Sequence, residues 1–302
     1  MRSGIVAGAG VSDGVGAGVG EGVGAGTGPA ARRVRTAAIV QARMGSTRLP
    51  GKVMLDLCGR PVLWHVVGRL RRAKAIDRIV VATTDLPEDD IIYNSALEWG
   101  VDCSRGSSTD VLGRYFGAAE EFPCDAVVRV KSDCPLIDPG LCDDIIRFFW
   151  RGGYRYVTNA GGDPTNRTYP RGLDCEVFCR GLLAEAHRNA SCAHEREHVT
   201  PYMYWKNSSV YFYKNAEDHS WLRWTLDTPE DYELISLLFN HLNKNGAGGG
   251  TASAGVGSPT GPEVGPFASA APFTWRDALA ACDAHPEWAA INAHVEQKAV
   301  KA

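Results

Sequence analysis

The chain has 302 residues, 44% of them apolar and 22% charged, with a formal net charge of −3. That length supports one large domain or two small ones, and so even a balance excludes the global basic field of a nucleic-acid or anionic-membrane binder. No run approaches the roughly 18 apolar residues of a membrane helix, so no membrane span is expected.

Glycine is unevenly spread: eleven of 34 lie in residues 1–30 and eight in residues 246–265. Residues 1–34 therefore read as a disordered Gly/Ala/Val-rich tail without the basic start and continuous apolar stretch of a secretory signal. Residues 244–272 read as a low-complexity Gly/Pro/Ser insert. The globular domain is expected over 35–243, with 273–302 as a helical segment packing on it. The nine cysteines are scattered, with no Cys-x-x-Cys and no Cys/His set at zinc spacing, so free thiols in a reducing cytoplasm are expected.

In chain order, a first strand is expected over 35–41, and Val62, Leu63, Val66, Val67 and Leu70 predict a helix over 61–72. A strand at 78–83, a helix at 87–99, a short strand at 101–103, a helix at 107–122 and an apolar strand at 125–131 follow. Asp138 caps a helix from Pro139 to about Arg151. Strands alternating with helices imply right-handed crossovers and a mainly parallel sheet buried on both faces. The second half is mixed: strands are expected at 154–159, 173–178, 210–213 and 221–226, and helices at 181–189, 195–205, 229–242 and 275–283.

Chemistry concentrates beyond the carboxyl ends of the early strands, where such sheets bind ligands. Residues 39–52 read Ile-Val-Gln-Ala-Arg-Met-Gly-Ser-Thr-Arg-Leu-Pro-Gly-Lys. Arg43, Arg48 and Lys52 sit among small residues, which suits a nucleoside triphosphate: backbone N–H groups approach closely and cations offset the charge. The loop is neither a Walker A sequence nor a Gly-x-Gly-x-x-Gly fingerprint. Asp133 follows the strand ending at Lys131; it is either an ordinary turn residue or a carboxylate for a divalent ion. In Leu226-Asp227-Thr228-Pro229-Glu230-Asp231, a helix start explains all but Asp227. Asp85, and either Ser108 or Asp110, read as helix-start residues. The aromatics Trp205, Tyr211, Tyr213, Trp221 and Trp224 read as core or as a dimer surface, a homodimer being the partner considered.

The 39–52 loop, Ser132-Asp133-Cys134-Pro135-Leu136-Ile137 and Asp227-Thr228-Pro229-Glu230-Asp231 together resemble the signature segments of the cytidylyltransferases, which activate sugars as CMP conjugates. The closest likeness is to the spore-coat polysaccharide (SpsF-type) branch, over about 35–242 and again near 273–298. The resemblance implies an α/β fold: a three-layer αβα domain with a mainly parallel mixed sheet, Rossmann-like, of the nucleotide-diphospho-sugar transferase type. It implies transfer of CMP from CTP to a sugar or sugar acid with release of pyrophosphate. It assigns catalysis to Arg43, Lys52, Asp133 and Asp227, with Asp133 and Asp227 holding Mg²⁺. Nucleotide contacts fall on Gln41, Ala42, Arg43, Gly45, Ser46, Arg48, Lys52, Thr84, Asp85, Ser108 and Asp110.

On the acceptor side, Arg171 suits bidentate carboxylate recognition, and Asp174, Glu195 and His198 are further candidates. His194-Glu195-Arg196-Glu197-His198 also matches the short zinc-protease helix pattern, against which the phosphate loop and the strand–helix alternation weigh. A sugar-1-phosphate nucleotidyltransferase and a non-enzymatic nucleotide binder are the alternatives.

Overall fold

The computed structural model describes residues 36–160, 166–206, 209–246, 266–267 and 272–296. The expected tail at 1–34 and nearly all of the glycine-rich insert lie outside them. Residues Val34–Ala302 form one compact unit.

The sheet follows from apolar runs that alternate between two cores. Strands β1 (Thr36–Gln41), β4 (Arg78–Thr84), β5 (Asp102–Gly106) and β6 (Ala126–Lys131) pair in parallel, in the order β5-β4-β1-β6. Then β8 (Glu176–Cys179) adds antiparallel to β6, β7 (Tyr156–Thr158) antiparallel to β8, and β9 (Val210–Phe212) parallel to β7. A two-stranded hairpin, β2 (Asp56–Leu57) with β3 (Arg60–Pro61), stands apart. Along β1, Ala38 and Val40 enter one core while Ala37 and Ile39 enter the other. Period-two side chains buried on both faces make the strand read as a continuous apolar run.

One helical layer comprises α1 (Val62–Leu70), α2 (Asp90–Glu98), α4 (Pro139–Gly152), α8 (Pro229–Gly246) and α9 (Trp275–Ala284), whose apolar residues join the first core. The other is built on α3 (Val111–Glu121), α5 (Arg180–Asn189) and α7 (Pro201–Trp205), which join the second. Two short helices, α6 (Ala193–His198) and α10 (Pro286–Ile291), complete the set. The architecture is the expected three-layer mixed α/β type. The C-terminal segment is tied in by buried bonds: Trp275 N–H donates to Asp138 Oδ2 at 2.7 Å, and Arg69 donates to the Phe273 carbonyl at 3.0 Å.

Four expectations shift. The 195–205 helix breaks into α6 and α7, because Val199 takes φ 71° and Pro201 cannot continue the hydrogen-bond ladder. The segment 221–226 is no strand: beyond one bridge between Arg171 and Arg223, it bonds to loop backbone at Arg171 and Asp133. Gly172 makes that approach possible, with φ +100° and an added Cβ only 2.3 Å from the Trp224 carbonyl oxygen. Helix α3 begins at Val111, since Asp110 is its N-cap and accepts the Gly113 N–H at 2.8 Å. At 87–99, a 3₁₀ turn (Pro87–Asp89) precedes α2.

Candidate active site

The loop after β1 is folded by its own backbone. The Met44 carbonyl accepts from Ser46 N–H at 2.8 Å and from Gly51 N–H at 3.0 Å. Met44 N–H donates to Asp89 Oδ1 at 2.6 Å, and the Thr84 hydroxyl donates to the other oxygen of Asp89. Asp89, which is fully buried, therefore pins the loop to the end of β4. Gly51 turns the chain at φ +68° into the one-turn helix Lys52–Met54, which carries the Lys52 side chain back across the rim.

Lys52 is the centre of the cluster. Its Nζ donates to Asp133 Oδ2 at 2.7 Å, to Asp227 Oδ1 at 2.7 Å and to the Leu226 carbonyl at 2.8 Å. Burial works against its charge, but the carboxylates of Asp133 and Asp227 outweigh it and hold the pKa above the ordinary lysine value. Burial likewise opposes ionisation of Asp133, yet Lys52 and Lys131 keep its carboxyl well below the usual range. For Asp227, burial and the neighbouring Asp133 push upward, and Lys52 and Arg48 prevail. Two carboxylate oxygens and a carbonyl around one cation form a hard-oxygen set of the kind Mg²⁺ or Mn²⁺ takes.

Asp227 is held from behind. Its Oδ2 meets Arg48 Nη2 at 2.9 Å and Arg223 Nη2 at 3.0 Å. Arg223 Nε donates to the fully buried Asp231 at 2.8 Å, and Asp231 Oδ2 also accepts the N–H groups of Asp227 (2.9 Å) and Thr228 (3.0 Å). Asn292, from the C-terminal segment, donates to Asp231 Oδ1 at 2.8 Å and to the Arg223 carbonyl at 2.9 Å.

The other candidates are placed as follows. Arg43 is exposed and reaches the Ser108 carbonyl at 3.5 Å, drawing Ser108 to the loop. Gln41 Oε1 accepts from the buried Tyr115 hydroxyl at 3.3 Å, and Ala42 N–H extends the β1–β4 pairing to the Ala82 carbonyl. Gly45 lies under Glu88, whose Oε1 would sit 3.2 Å from an added Cβ. Ser46 caps the Leu49 N–H within the loop. Thr84 is buried against Asp89, whereas Asp85 is exposed on the rim and its N–H donates to Gly106. Asp110 pairs with Arg196 besides capping α3.

Of the acceptor candidates, Asp174 binds Arg167 at 2.6 Å and Lys131 at 3.3 Å. Burial opposes its charge, but these cations keep its carboxyl far below the usual range. Arg171 makes no ion pair among the described residues. Burial and the guanidinium of Arg167 lower its pKa, and the Asp174 carboxylate offsets this only in part. It lines a cavity of about 470 Å³ with Trp221, Arg223, Leu234 and Asn292.

Glu195 and His198 do not join this cluster. Buried Glu195 accepts the Ser191 N–H at 3.1 Å and closes a capping box on α6. His198 packs edge-on to His194 at 4.7 Å, and His194 stacks on Trp205. Cys134 is a buried thiol, its pKa pushed well up by burial. Trp224 is fully buried, while Trp205, Tyr211 and Trp221 are exposed.

Sequence reasoning passed over Asp89, Lys131, Arg167, Arg223, Asp231 and Asn292. Asp231 stood inside the Asp-Thr-Pro-Glu-Asp run but read as a helix-start acid. Arg223 carried no signal, and Asn292 stood only in the C-terminal likeness near 273–298, since the partners of both are set by folding.

The cytidylyltransferase family model matches residues 37–246. The spore coat polysaccharide biosynthesis protein SpsF of Bacillus subtilis is 34% identical over 213 residues, 67% of this chain and 85% of that protein. An uncharacterized protein of Methanocaldococcus jannaschii is 34% identical over 215 residues, 70% of this chain and 85% of that protein. The solved structure of a cytidylyltransferase from Leptospira borgpetersenii superposes with a TM-score of 0.71 at 30% identity, covering 85% of this chain and 97% of that one.

Proposed function

The chain belongs to the cytidylyltransferase family, and on that premise we propose that its rim site transfers CMP from CTP to a hydroxyl of an anionic sugar, for a surface glycan. The observation that carries the reading is the meeting of Lys52, Asp133 and Asp227 at 2.7 Å beside a small-residue loop. The SpsF relative, named for spore coat polysaccharide biosynthesis, supports the glycan destination. We place the reaction in the cytoplasm; among the described residues no helix is long and apolar enough to cross a membrane.

The acceptor hydroxyl loses its proton and attacks the α-phosphorus of CTP in line; the bond to the bridging oxygen breaks and pyrophosphate leaves. Positioning and charge neutralisation supply most of the rate in such transfers. Arg43, Arg48 and Lys52 are the loop cations for the triphosphate, and the 44–51 turn offers backbone N–H groups. Gln41, Gly45, Ser46, Asp85 and Ser108 line the approach for the nucleoside, with Ala42 and Thr84 buried beneath them. Asp133 and Asp227, with the Leu226 carbonyl, would hold a divalent cation such as Mg²⁺. Bound there, it supplies Lewis-acid neutralisation of phosphate charge. Arg171 receives the acceptor's anionic group, the cavity beside it taking the rest of the sugar.

The test is pyrophosphate release with CTP, ATP, GTP and UTP against a panel of sugar acids and sugar phosphates. Turnover is expected with CTP and a sugar acid. Absence of CTP turnover with every acceptor, together with no CTP binding by calorimetry, overturns the reading. Turnover with a sugar 1-phosphate instead selects the second reading, which the surplus of cations around Arg171 also favours.

A further inference from the structure

Of the three cations on the loop after β1, two are turned inward onto the carboxylates. Lys52 Nζ is surrounded by Asp133 Oδ2, Asp227 Oδ1 and the Leu226 carbonyl at 2.7 to 2.8 Å, and Arg48 lies 2.9 Å from Asp227 Oδ2. Groups suited to phosphate and groups suited to a divalent cation are thus bound to one another.

We propose that this clasp between loop and carboxylates is an interlock that makes divalent-cation binding and triphosphate binding mutually dependent. The proposal rests on the reading of the site given above. A divalent cation entering alone would have to displace an ammonium from three oxygens, leaving Lys52 beside a like charge without a new anion. A triphosphate entering alone would draw off Lys52 and Arg48, leaving Asp133 and Asp227 to face phosphate oxygens. Entering together, the two ligands exchange partners with the clasp: carboxylates take the cation, and the ammonium and guanidinium take the phosphates. No charge is stranded in that exchange.

The local geometry suits such an exchange. Lys52 opens a one-turn helix fixed by Gly51 and by the Met44 carbonyl, so the backbone stays in place while a flexible four-carbon stem swings. Arg48 is the more exposed partner, at 36% against 12% for Lys52, so it releases more readily. Lys52 also acts as a positioning residue: it bridges two carboxylates that would otherwise repel each other. By linkage, whatever the cation gains from the triphosphate the triphosphate gains from the cation.

The probe is Mn²⁺, followed by electron paramagnetic resonance on the full, nucleotide-free chain. Lys52→Met is expected to bind Mn²⁺ roughly tenfold tighter than the native protein, and Arg48→Gln roughly threefold tighter. If Lys52→Met binds no tighter, the interlock is wrong. Circular dichroism checks that each variant folds; should Lys52→Met not fold, Arg48→Gln decides, and an unchanged affinity there overturns the proposal. Failure of the functional reading is separable. Tighter Mn²⁺ binding in a protein that turns over no CTP keeps the interlock and removes the transferase, while CTP turnover with unchanged Mn²⁺ affinity does the reverse.

Discussion

Two charge clusters share the rim and differ in how their carboxylates are paired. Around Lys52, two carboxylates, Asp133 and Asp227, face one buried ammonium, with Arg48 and Arg223 on the far oxygen of Asp227. Around Asp174, one carboxylate faces two paired cations, Arg167 and Lys131, and also acts on Arg171, which makes no ion pair among the described residues. The first arrangement suits an added cation and the second an added anion. Residue types alone would not distinguish them; what separates a metal-type site from an anion-type site is how many partners of each sign folding delivers to the same few ångströms.

The sharpest way to break the comparison is to neutralise the carboxylates around Lys52. Asp133→Asn and Asp227→Asn are each expected to reduce pyrophosphate release by roughly 10³-fold, with the native fold retained in circular dichroism. A near-normal rate in either variant removes that residue from the site.

Asp174→Asn tests the cation-rich cluster through stability. It strands Arg167 and Lys131, at a cost of roughly 3 kcal/mol in urea unfolding. The pH dependence has a definite sign. Burial would raise the Asp174 pKa, but Arg167 and Lys131 hold it depressed in the folded chain. Its stabilisation is thus fully present above the unfolded value of about 3.9 and is lost as pH falls toward the folded one. The native urea midpoint is expected to drop below about pH 4, and Asp174→Asn to show a flatter acid limb. An acid limb as steep in the variant would deny Asp174 that role.

The smallest expected effect separates recognition from chemistry. Arg171→Gln should raise KM for the sugar acid by roughly tenfold, the scale of one charge-assisted hydrogen bond, while KM for CTP stays put. An equal rise in both would place Arg171 with the nucleotide.

Much of this was legible residue by residue. The runs 35–41, 78–83 and 125–131 read as buried strands, because short β-branched runs set off by charged residues suit a strand. The loop cations and Asp133 could be set on one rim because each follows such a strand. The 221–226 run misled by the same logic: Trp221, Leu222 and Trp224 resemble strand residues, but the segment bonds to loops at Arg171 and Asp133. The second helix of the 195–205 pair was announced by Pro201, yet the apolar periodicity concealed the break.

By itself, the sequence determined the layered α/β order, the strand-end position of Arg43, Lys52 and Asp133, and the candidacy of Asp227. These depend on local periodicity and on which residue follows which. Only the tertiary structure decided that Asp133 and Asp227, 94 positions apart in number, share the Lys52 ammonium. It alone brought Asn292 to brace Asp231 and committed Glu195 to a helix cap. Those pairings are made across crossovers and between layers, where sequence separation carries no information about distance and charge balance is set by whatever packing brings together.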